Sequence, residues 1–336
     1  MQLQKFNTLI DLLAYFKDEQ VCREYLELFR WPEQITCPFK DCGHNKVFRF
    51  SNGKVYKCAK CRKQFSVKIG TIFEDSKISL KKWYAAIYLI TSHKKGISSI
   101  QLGKDIGVTQ KTAWYMNHRI RHSLGWDIPE EKLTGIIEAD EHFTGGKEKN
   151  KHKSKKTEGT QGRSIETKTP IAGLVQRGGD VRVKIVDDTT GHTLRKFVYD
   201  NVQRGSQLHT DEWWGYRGLE KLFGHSVINH NDKEYVRGEV HTNTMEGFWS
   251  LLSRGVMGIY HSWSNKHLQK YLDEFVFRYN TRQLTEADRF NLMLSGLANH
   301  LPYSKLIEDE KQQPIKWFDT KPIDRTAQYQ QGSFGF

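Results

Sequence analysis

The feature that most constrains this chain is an array of four cysteines in two pairs. Four residues separate Cys37 from Cys42, two separate Cys58 from Cys61, and fifteen lie between the pairs. Two knuckles of this kind bring four thiolates within tetrahedral reach of one metal ion, with His44 as the alternative ligand. Because four thiolates leave no open position for a substrate, we predict a structural Zn²⁺ without a catalytic role.

Short alternating runs surround these cysteines and are typical of hairpin strands. They cover residues 46–50, 54–57 and 63–67, with a turn at 51–53 between the first two. Strands this short cannot enclose a core of their own, so metal binding has to hold them together. We therefore predict a zinc ribbon over residues 35–76, preceded by a pair of amphipathic helices in residues 1–34.

The charge balance indicates the class of partner. The chain has 52 Lys and Arg residues against 39 Asp and Glu, a formal net charge of +13. Such an excess favours a polyanion, and nucleic acid fits better than an anionic membrane because no apolar run of about eighteen residues is present. Five cysteines are too few for a disulfide framework and indicate a reducing compartment. We expect a soluble, cytoplasmic protein that binds DNA and no membrane.

Residues 77–128 have the pattern of a helical unit that resembles a helix-turn-helix. Gly107 provides the turn, and Thr109 is placed to cap the helix that follows. Polar side chains of that second helix would reach base edges or phosphates; they are Gln110, Lys111, Arg119 and Arg121. The alternative is a three-helix packing unit whose polar face is merely solvated.

Residues 129–300 alternate strands with helices, which predicts an α/β sheet domain. Strand-like runs at 136–140, 171–175, 181–186 and 207–210 are accompanied by helical stretches near 191–203 and from 243 onward. A polar stretch at 147–170 carries eight Lys and Arg residues against three Glu and predicts a basic inserted loop. Residues 301–336 form a C-terminal tail.

Two acidic residues, Asp140 and Asp211, follow apolar strand runs in this domain. A carboxylate at the end of such a strand points into the crevice of the sheet. Hard anionic oxygens bind Mg²⁺ or Mn²⁺, and two such ions can activate a nucleophile and stabilise the leaving oxygen of a phosphodiester. A third ligand would come from one helical turn that carries Asn243 and Glu246, and the preference of Mg²⁺ for carboxylates favours Glu246.

The order of several motifs resembles that of zinc-ribbon insertion-sequence transposases of the family numbered fifteen ninety-five. The similarity extends from about residue 30 to about residue 290 and rests on the cysteine array and on segments 70–74, 140–146, 210–217, 241–254 and 271–280. The resemblance implies an RNase H-like catalytic domain, an Asp-Asp-Asn triad that is Asp-Asp-Glu in some relatives, and a basic residue after it.

Carried onto this sequence, the resemblance assigns the triad to Asp140, Asp211 and Asn243. The basic role falls to Arg254, because Ser253 stands where relatives have a lysine. The resemblance implies a transposase that binds the terminal inverted repeats of its element, cuts DNA and joins it to target DNA, as a homo-oligomer in the synaptic complex. Both Asn243 and Glu246 stay open as the third ligand.

Two other functions are compatible with these residues. A DNA-binding regulator would use the ribbon and the helical unit and would not need Asp140 or Asp211. A separate RNase H-like nuclease or resolvase would use the same acids for hydrolysis without strand transfer, since the two reactions differ only in the nucleophile. Short inverted repeats flanking the gene would favour the transposase.

Overall fold

The computed structural model describes residues 5–125, 131–145, 152–155, 157, 164–229, 236–297 and 300–308. Half of the predicted basic loop (residues 147–151, 156 and 158–163) and the tail from 309 onward lie outside this set. Two helices begin the chain, α1 at Leu9–Tyr15 and α2 at Glu19–Arg30. Thr8 and Asp11 form a reciprocal capping box at α1, and the Asp18 carboxylate caps α2. These caps set where each helix starts.

The cysteine-containing segment is a small antiparallel sheet, as predicted for a zinc ribbon. Its strands are β1 at Val47–Arg49, β2 at Tyr56–Cys58 and β3 at Gln64–Phe65, paired in that order. Tyr56 and Phe65 stack with ring centroids 5.4 Å apart and are buried with the cysteine side chains. This cluster is small, so we expect the ribbon to depend on a bound metal for its stability.

Three helices follow: α3 at Leu80–Ser92, α4 at Ser99–Ile106 and α5 at Gln110–Leu124. Gly107 adopts a left-handed conformation, φ 63°, which allows the tight turn between α4 and α5, and Thr109 caps α5. Trp83 and Tyr84 of α3 lie in one hydrophobic core with the two N-terminal helices and with the distant Phe290. The helical front end therefore folds together with the C-terminal helices.

The α/β domain contains a five-stranded mixed sheet in the order β6-β5-β4-β7-β8. The antiparallel half consists of β4 at Ile136–Thr144, β5 at Thr169–Gln176 and β6 at Val181–Ile185. The other half, β7 at Gln207–Asp211 and β8 at Gly224–Ile228, runs parallel to β4. This strand order, with α6 at Gly191–Asn201 between β6 and β7, is RNase H-like.

Two hydrophobic clusters cover the two faces of this sheet. One contains Leu194 and Val198 of α6. The other contains helices α7 at Asn243–Gly255 and α8 at Asn265–Asn280, which a π-helical turn at Val256–Tyr260 connects. Helices α9 at Glu286–Ser295 and α10 at Tyr303–Ile307 complete the described chain. Within the described residues, no helix is both long and apolar enough to cross a membrane.

One prediction about the sheet was wrong in detail. The first strand of the domain was expected to end at Asp140, whereas β4 continues to Thr144. The reason is that residues 141–144 pair with the first half of β5, whose Thr169 lies opposite Thr144. Asp140 therefore lies in the middle of a strand, whereas Asp211 is the last residue of β7.

Candidate active site and zinc centre

The four cysteines predicted to bind zinc come together in one cluster, with ligand atoms all within 4.8 Å of one another. The Sγ atoms of Cys37 and Cys61 are 3.7 Å apart, and those of Cys42 and Cys58 are 3.5 Å apart. Zinc–sulfur bonds of about 2.3 Å in a tetrahedron require sulfurs about 3.8 Å apart, so these thiols fit one Zn²⁺. His44 is not part of the cluster.

The predicted catalytic acids Asp140 and Asp211 also lie together, on adjacent parallel strands. Glu138 of β4 is opposite His209 of β7, so that two residues further along each strand Asp140 comes beside Asp211. Carboxylate oxygens of these two residues and of Glu141 all lie within 4.8 Å of one another. Three carboxylates this close suit divalent cations with oxygen ligands.

Glu141 is a site residue that the sequence reasoning missed. Neighbouring side chains of a strand normally point to opposite faces of the sheet, so Glu141 would be expected to point away from Asp140. In the structure it belongs to the same acidic cluster and accepts a hydrogen bond from the buried Tyr216. The available signal was the pair of consecutive acids at the end of an apolar run.

The electrostatics of Asp140 reflect this crowding. Burial, the Asp211 carboxylate and, more weakly, Glu246 raise the pKa of Asp140 to about 7. Two hydrogen bonds hold the side chain in place: the Glu141 amide donates to Oδ1 at 2.8 Å, and Trp249 Nε1 donates to Oδ2 at 3.0 Å. In metal-free protein the ionised form of this carboxylate is therefore destabilised, and a bound cation would stabilise it.

A buried acid, Glu138, attaches helix α7 to strand β4. Its carboxylate accepts the backbone amides of Thr244 at 2.7 Å and Met245 at 3.0 Å, and also the Thr244 hydroxyl at 2.8 Å. The N-cap residue of α7, Thr242, makes no side-chain capping bond, so Glu138 caps the helix from the sheet. Arg177 Nε donates to the same carboxylate at 2.7 Å and balances its charge.

The two candidates for the third metal ligand, Asn243 and Glu246, are both exposed on the first turn of α7. Glu246 Oε1 accepts a hydrogen bond from the Thr242 hydroxyl at 3.2 Å and is near enough to raise the pKa of Asp140. Glu246 is not part of the group of acids whose oxygens lie within 4.8 Å of one another; the third member of that group, beside Asp140 and Asp211, is Glu141. The choice between Asn243 and Glu246 thus stays open, and Glu141 joins the candidates.

Arg254, the predicted basic residue, lies in the last turn of α7. It is eleven residues beyond Asn243, which is about 16 Å along a helix. Its guanidinium is exposed and donates to Ser250 Oγ at 3.1 Å. A role for Arg254 on the substrate stays a prediction.

Two of the four predicted DNA contacts were wrong, because Arg119 and Arg121 are buried within the protein. Arg119 donates to the carbonyl oxygens of Leu301 at 2.9 Å and of Ile72 at 2.6 Å. Arg121 forms a buried ion pair with Glu274 of α8. Helix periodicity marked these positions as polar, but distant segments supply their partners.

The other two predicted contacts, Gln110 and Lys111, are exposed in the first turn of α5. Residues at the start of a recognition helix are those that enter the major groove, so this location is compatible with DNA contact. The first turn of α5 is therefore the part of the predicted DNA-reading face that is accessible to DNA.

Models of transposase domains match both the cysteine-containing segment and the α/β domain of the chain. Residues 132–280 match the model of the ISXO2-like transposase domain, and residues 17–64 match that of the transposase zinc-ribbon domain. The chain is 30% identical over 275 residues to an uncharacterized protein in transposable element ISH50 of Halobacterium salinarum, covering 78% of this chain and 91% of that protein. A crystal structure of a pre-cleavage Mos1 transpososome is similar at 11% identity over 65% of this chain and 80% of that chain, with a TM-score of 0.21.

Proposed function

The chain belongs to the family of ISXO2-like transposases with a transposase zinc ribbon, and from this we propose that it cleaves DNA at the ends of its own element and joins those ends to target DNA. The observation that carries the proposal is the cluster formed by Asp140, Glu141 and Asp211. Phosphodiester cleavage needs groups that hold cations at the reacting phosphate, and these carboxylates have the right chemistry and spacing.

Each side chain of the site has a distinct part in this chemistry. Asp140 and Asp211 would hold Mg²⁺ or Mn²⁺, with Glu141, Asn243 or Glu246 as a further ligand. The bound cations supply activation of the attacking hydroxyl or water and stabilise the leaving oxygen. Trp249 keeps the Asp140 carboxylate oriented through its indole N–H. Helix α7 is in turn held against β4 by Glu138.

DNA binding is proposed to involve the ribbon and the start of α5. Gln110 and Lys111 are exposed there, and the net charge of +13 favours a polyanion. Terminal inverted repeats and target DNA are the proposed ligands. Joining two ends in one event requires at least two active sites, so we propose a homo-oligomer in the synaptic complex.

The test is to incubate the purified, zinc-loaded protein with DNA carrying its element ends and with a target plasmid. Joined products are expected with Mg²⁺ or Mn²⁺ and not with Ca²⁺ alone, whose larger and looser coordination shell does not hold the geometry. Asp140→Asn and Asp211→Asn should bind the ends normally but yield no joined product. Cleavage without joining would indicate a nuclease or resolvase, and binding of the ends without either would indicate a regulator. Wild-type joining by both variants would refute the proposed active site.

A further inference from the structure

A cleft of about 190 Å³ opens beside the acidic cluster, where β7 and β8 end next to each other. It is formed by the ends of these strands and by the loop that follows β7. Asp211 belongs to both the cluster and the cleft lining. An occupant of the cleft would therefore contact Asp211, one of the acids proposed to act on the phosphate.

The wall of the cleft contains a tryptophan that is held in place by the protein. Trp213 Nε1 donates to the Thr189 carbonyl at 3.0 Å, and the Trp213 amide donates to Asp211 Oδ1 at 3.0 Å. The neighbouring Trp214, with its ring centroid 5.9 Å away, is 49% exposed. An aromatic side chain fixed in advance, with a second exposed beside it, favours a flat ligand that can stack.

The charges of the cleft favour an uncharged occupant. Two carboxylates, those of Asp211 and Glu212, face one guanidinium, that of Arg217. Burial lowers the pKa of His225, so its imidazole is neutral at pH 7 and adds no positive charge. With Asp211 holding the proposed cation, Glu212 and Arg217 offset each other, so the cleft offers no net positive charge to a phosphate and suits an uncharged heterocycle with hydrogen-bonding edges.

The size of the cleft limits the occupant further. Sites for drug-sized ligands measure roughly 300–1,000 Å³, well above the volume found here. A single ring system fits, and a dinucleotide does not. Val227, which is 37% exposed on the edge strand β8, provides an apolar surface across from the loop.

We propose that this cleft binds one unpaired nucleobase, that of the nucleotide next to the scissile phosphate. The inference rests on the proposed cleavage of DNA at Asp140 and Asp211. Removing a base from the helical stack costs free energy, and stacking of that base in the cleft would offset this cost. Binding of the base would also hold the adjacent phosphate near the acids. The cleft would then help to select where the strand is cut.

The experiment fills the cleft and asks whether the effect depends on the base. Val227→Trp is compared with Leu284→Trp, a matched control at an apolar position that is 41% exposed in the turn between α8 and α9. Cleavage rates are measured on an intact element end and on one that is abasic at the nucleotide flanking the cut. Val227→Trp should slow the intact substrate about tenfold or more and leave the abasic substrate within about twofold of wild type. Leu284→Trp should change neither rate.

Equal slowing of both substrates by Val227→Trp, or slowing of neither, would overturn the proposal. A second measurement does not depend on cleavage: the flanking base is replaced by 5-iodouracil, and the complex is irradiated in Ca²⁺. Cross-links to Trp213 or Trp214, located by mass spectrometry, are expected, and their absence would also count against the cleft. If wild-type protein cleaves neither substrate, the proposed function fails, and the cross-link alone decides whether the cleft binds a base.

Discussion

At the scale of single residues, the candidate active site is governed by the close approach of carboxylates to one another. Asp140 is half-buried beside Asp211, and its pKa rises to about 7 because of desolvation and this neighbour. The same crowding that costs stability in metal-free protein would favour binding of a cation. Site residues of this kind are expected to trade stability for function.

Replacing Asp140 by Asn should therefore change how stability depends on pH. The folded-state pKa is raised above the unfolded value, so ionisation destabilises the fold; this penalty is absent below about pH 4 and complete above about pH 7. Between pH 4 and pH 8, the free energy of unfolding of Asp140→Asn should gain about 2–4 kcal/mol relative to wild type. Urea unfolding of Mg²⁺-free, zinc-loaded protein measures this difference.

The control is Asp188→Asn in the loop between β6 and α6, where hydrogen bonds from Thr190 and Thr193 lower the aspartate pKa. Because the folded-state pKa lies below the unfolded value, the ionised carboxylate stabilises the fold above that pH. Asp188→Asn removes this stabilisation, so its free energy of unfolding relative to wild type should fall slightly as the pH rises. A pH profile for Asp140→Asn parallel to that of wild type would contradict the assigned origin of the shift.

The third metal ligand is also decided by single residues. Asn243→Ala, Glu246→Ala and Glu141→Gln are to be compared in single-turnover cleavage over a range of Mg²⁺ concentrations. Substitution of the true ligand should lower the cleavage rate by about a hundredfold or more, because removing an oxygen donor weakens cation binding. Part of this loss should be recovered at high Mg²⁺ concentration. The bystanders should cost less than about threefold. Three small effects would mean that the ligand lies elsewhere.

At the scale of elements, the site depends on how α7 is attached to the sheet. The helix carries Asn243, Glu246 and Trp249, and its amino end is capped by Glu138 of β4 rather than by its own N-cap residue. Glu138 lies two positions before Asp140, so both side chains point to the same face of the strand. One strand thus supplies both an acid of the cluster and the anchor of the helix that completes it.

Glu138→Gln should weaken both the fold and metal binding. A neutral amide cannot accept every hydrogen bond that the carboxylate accepts, and it leaves Arg177 without its buried counter-ion, so a loss of about 2–3 kcal/mol in the free energy of unfolding is expected. Calorimetry should show weaker Mn²⁺ binding in the protein that remains folded. Glu239 is the control: it is exposed and lies 3.9 Å from the same arginine, so Glu239→Gln should change neither quantity measurably. Equal effects of the two substitutions would argue against the anchoring role.

At the scale of the whole molecule, stability comes from two different sources. The front helices share one apolar core with α9, whereas the ribbon has only a small cluster around its cysteines. Removal of zinc should therefore unfold the ribbon and leave the helical front end and the α/β sheet folded. The ribbon and the rest of the chain should respond differently because a core of many buried apolar side chains is stable without a metal, whereas a small cluster is not.

Metal analysis and hydrogen exchange test that division. The reduced protein should contain about one zinc per chain, and chelation should abolish amide protection in residues 37–65 while that of α3 persists. Cys37→Ser should lose the zinc, and Cys22→Ala, which removes a buried thiol of the helical core, should keep it. Zinc-free protein with a protected ribbon would contradict the structural role of the metal.

The sequence by itself determined what depends on local spacing: the cysteine knuckles, the helix cap at Thr109, four of the five strands of the α/β sheet and the acid that ends β7. These features are set by neighbours within a few residues, and periodicity reports them. The structure decided what depends on distant partners. Arg119 and Arg121 occupy polar positions of a predicted DNA-reading helix, yet Leu301 and Glu274, more than 150 residues away, bury them. Glu141 enters the acidic cluster and Glu138 anchors α7 for the same reason, because side-chain environment in a packed core is a property of the elements that meet there and not of any one segment.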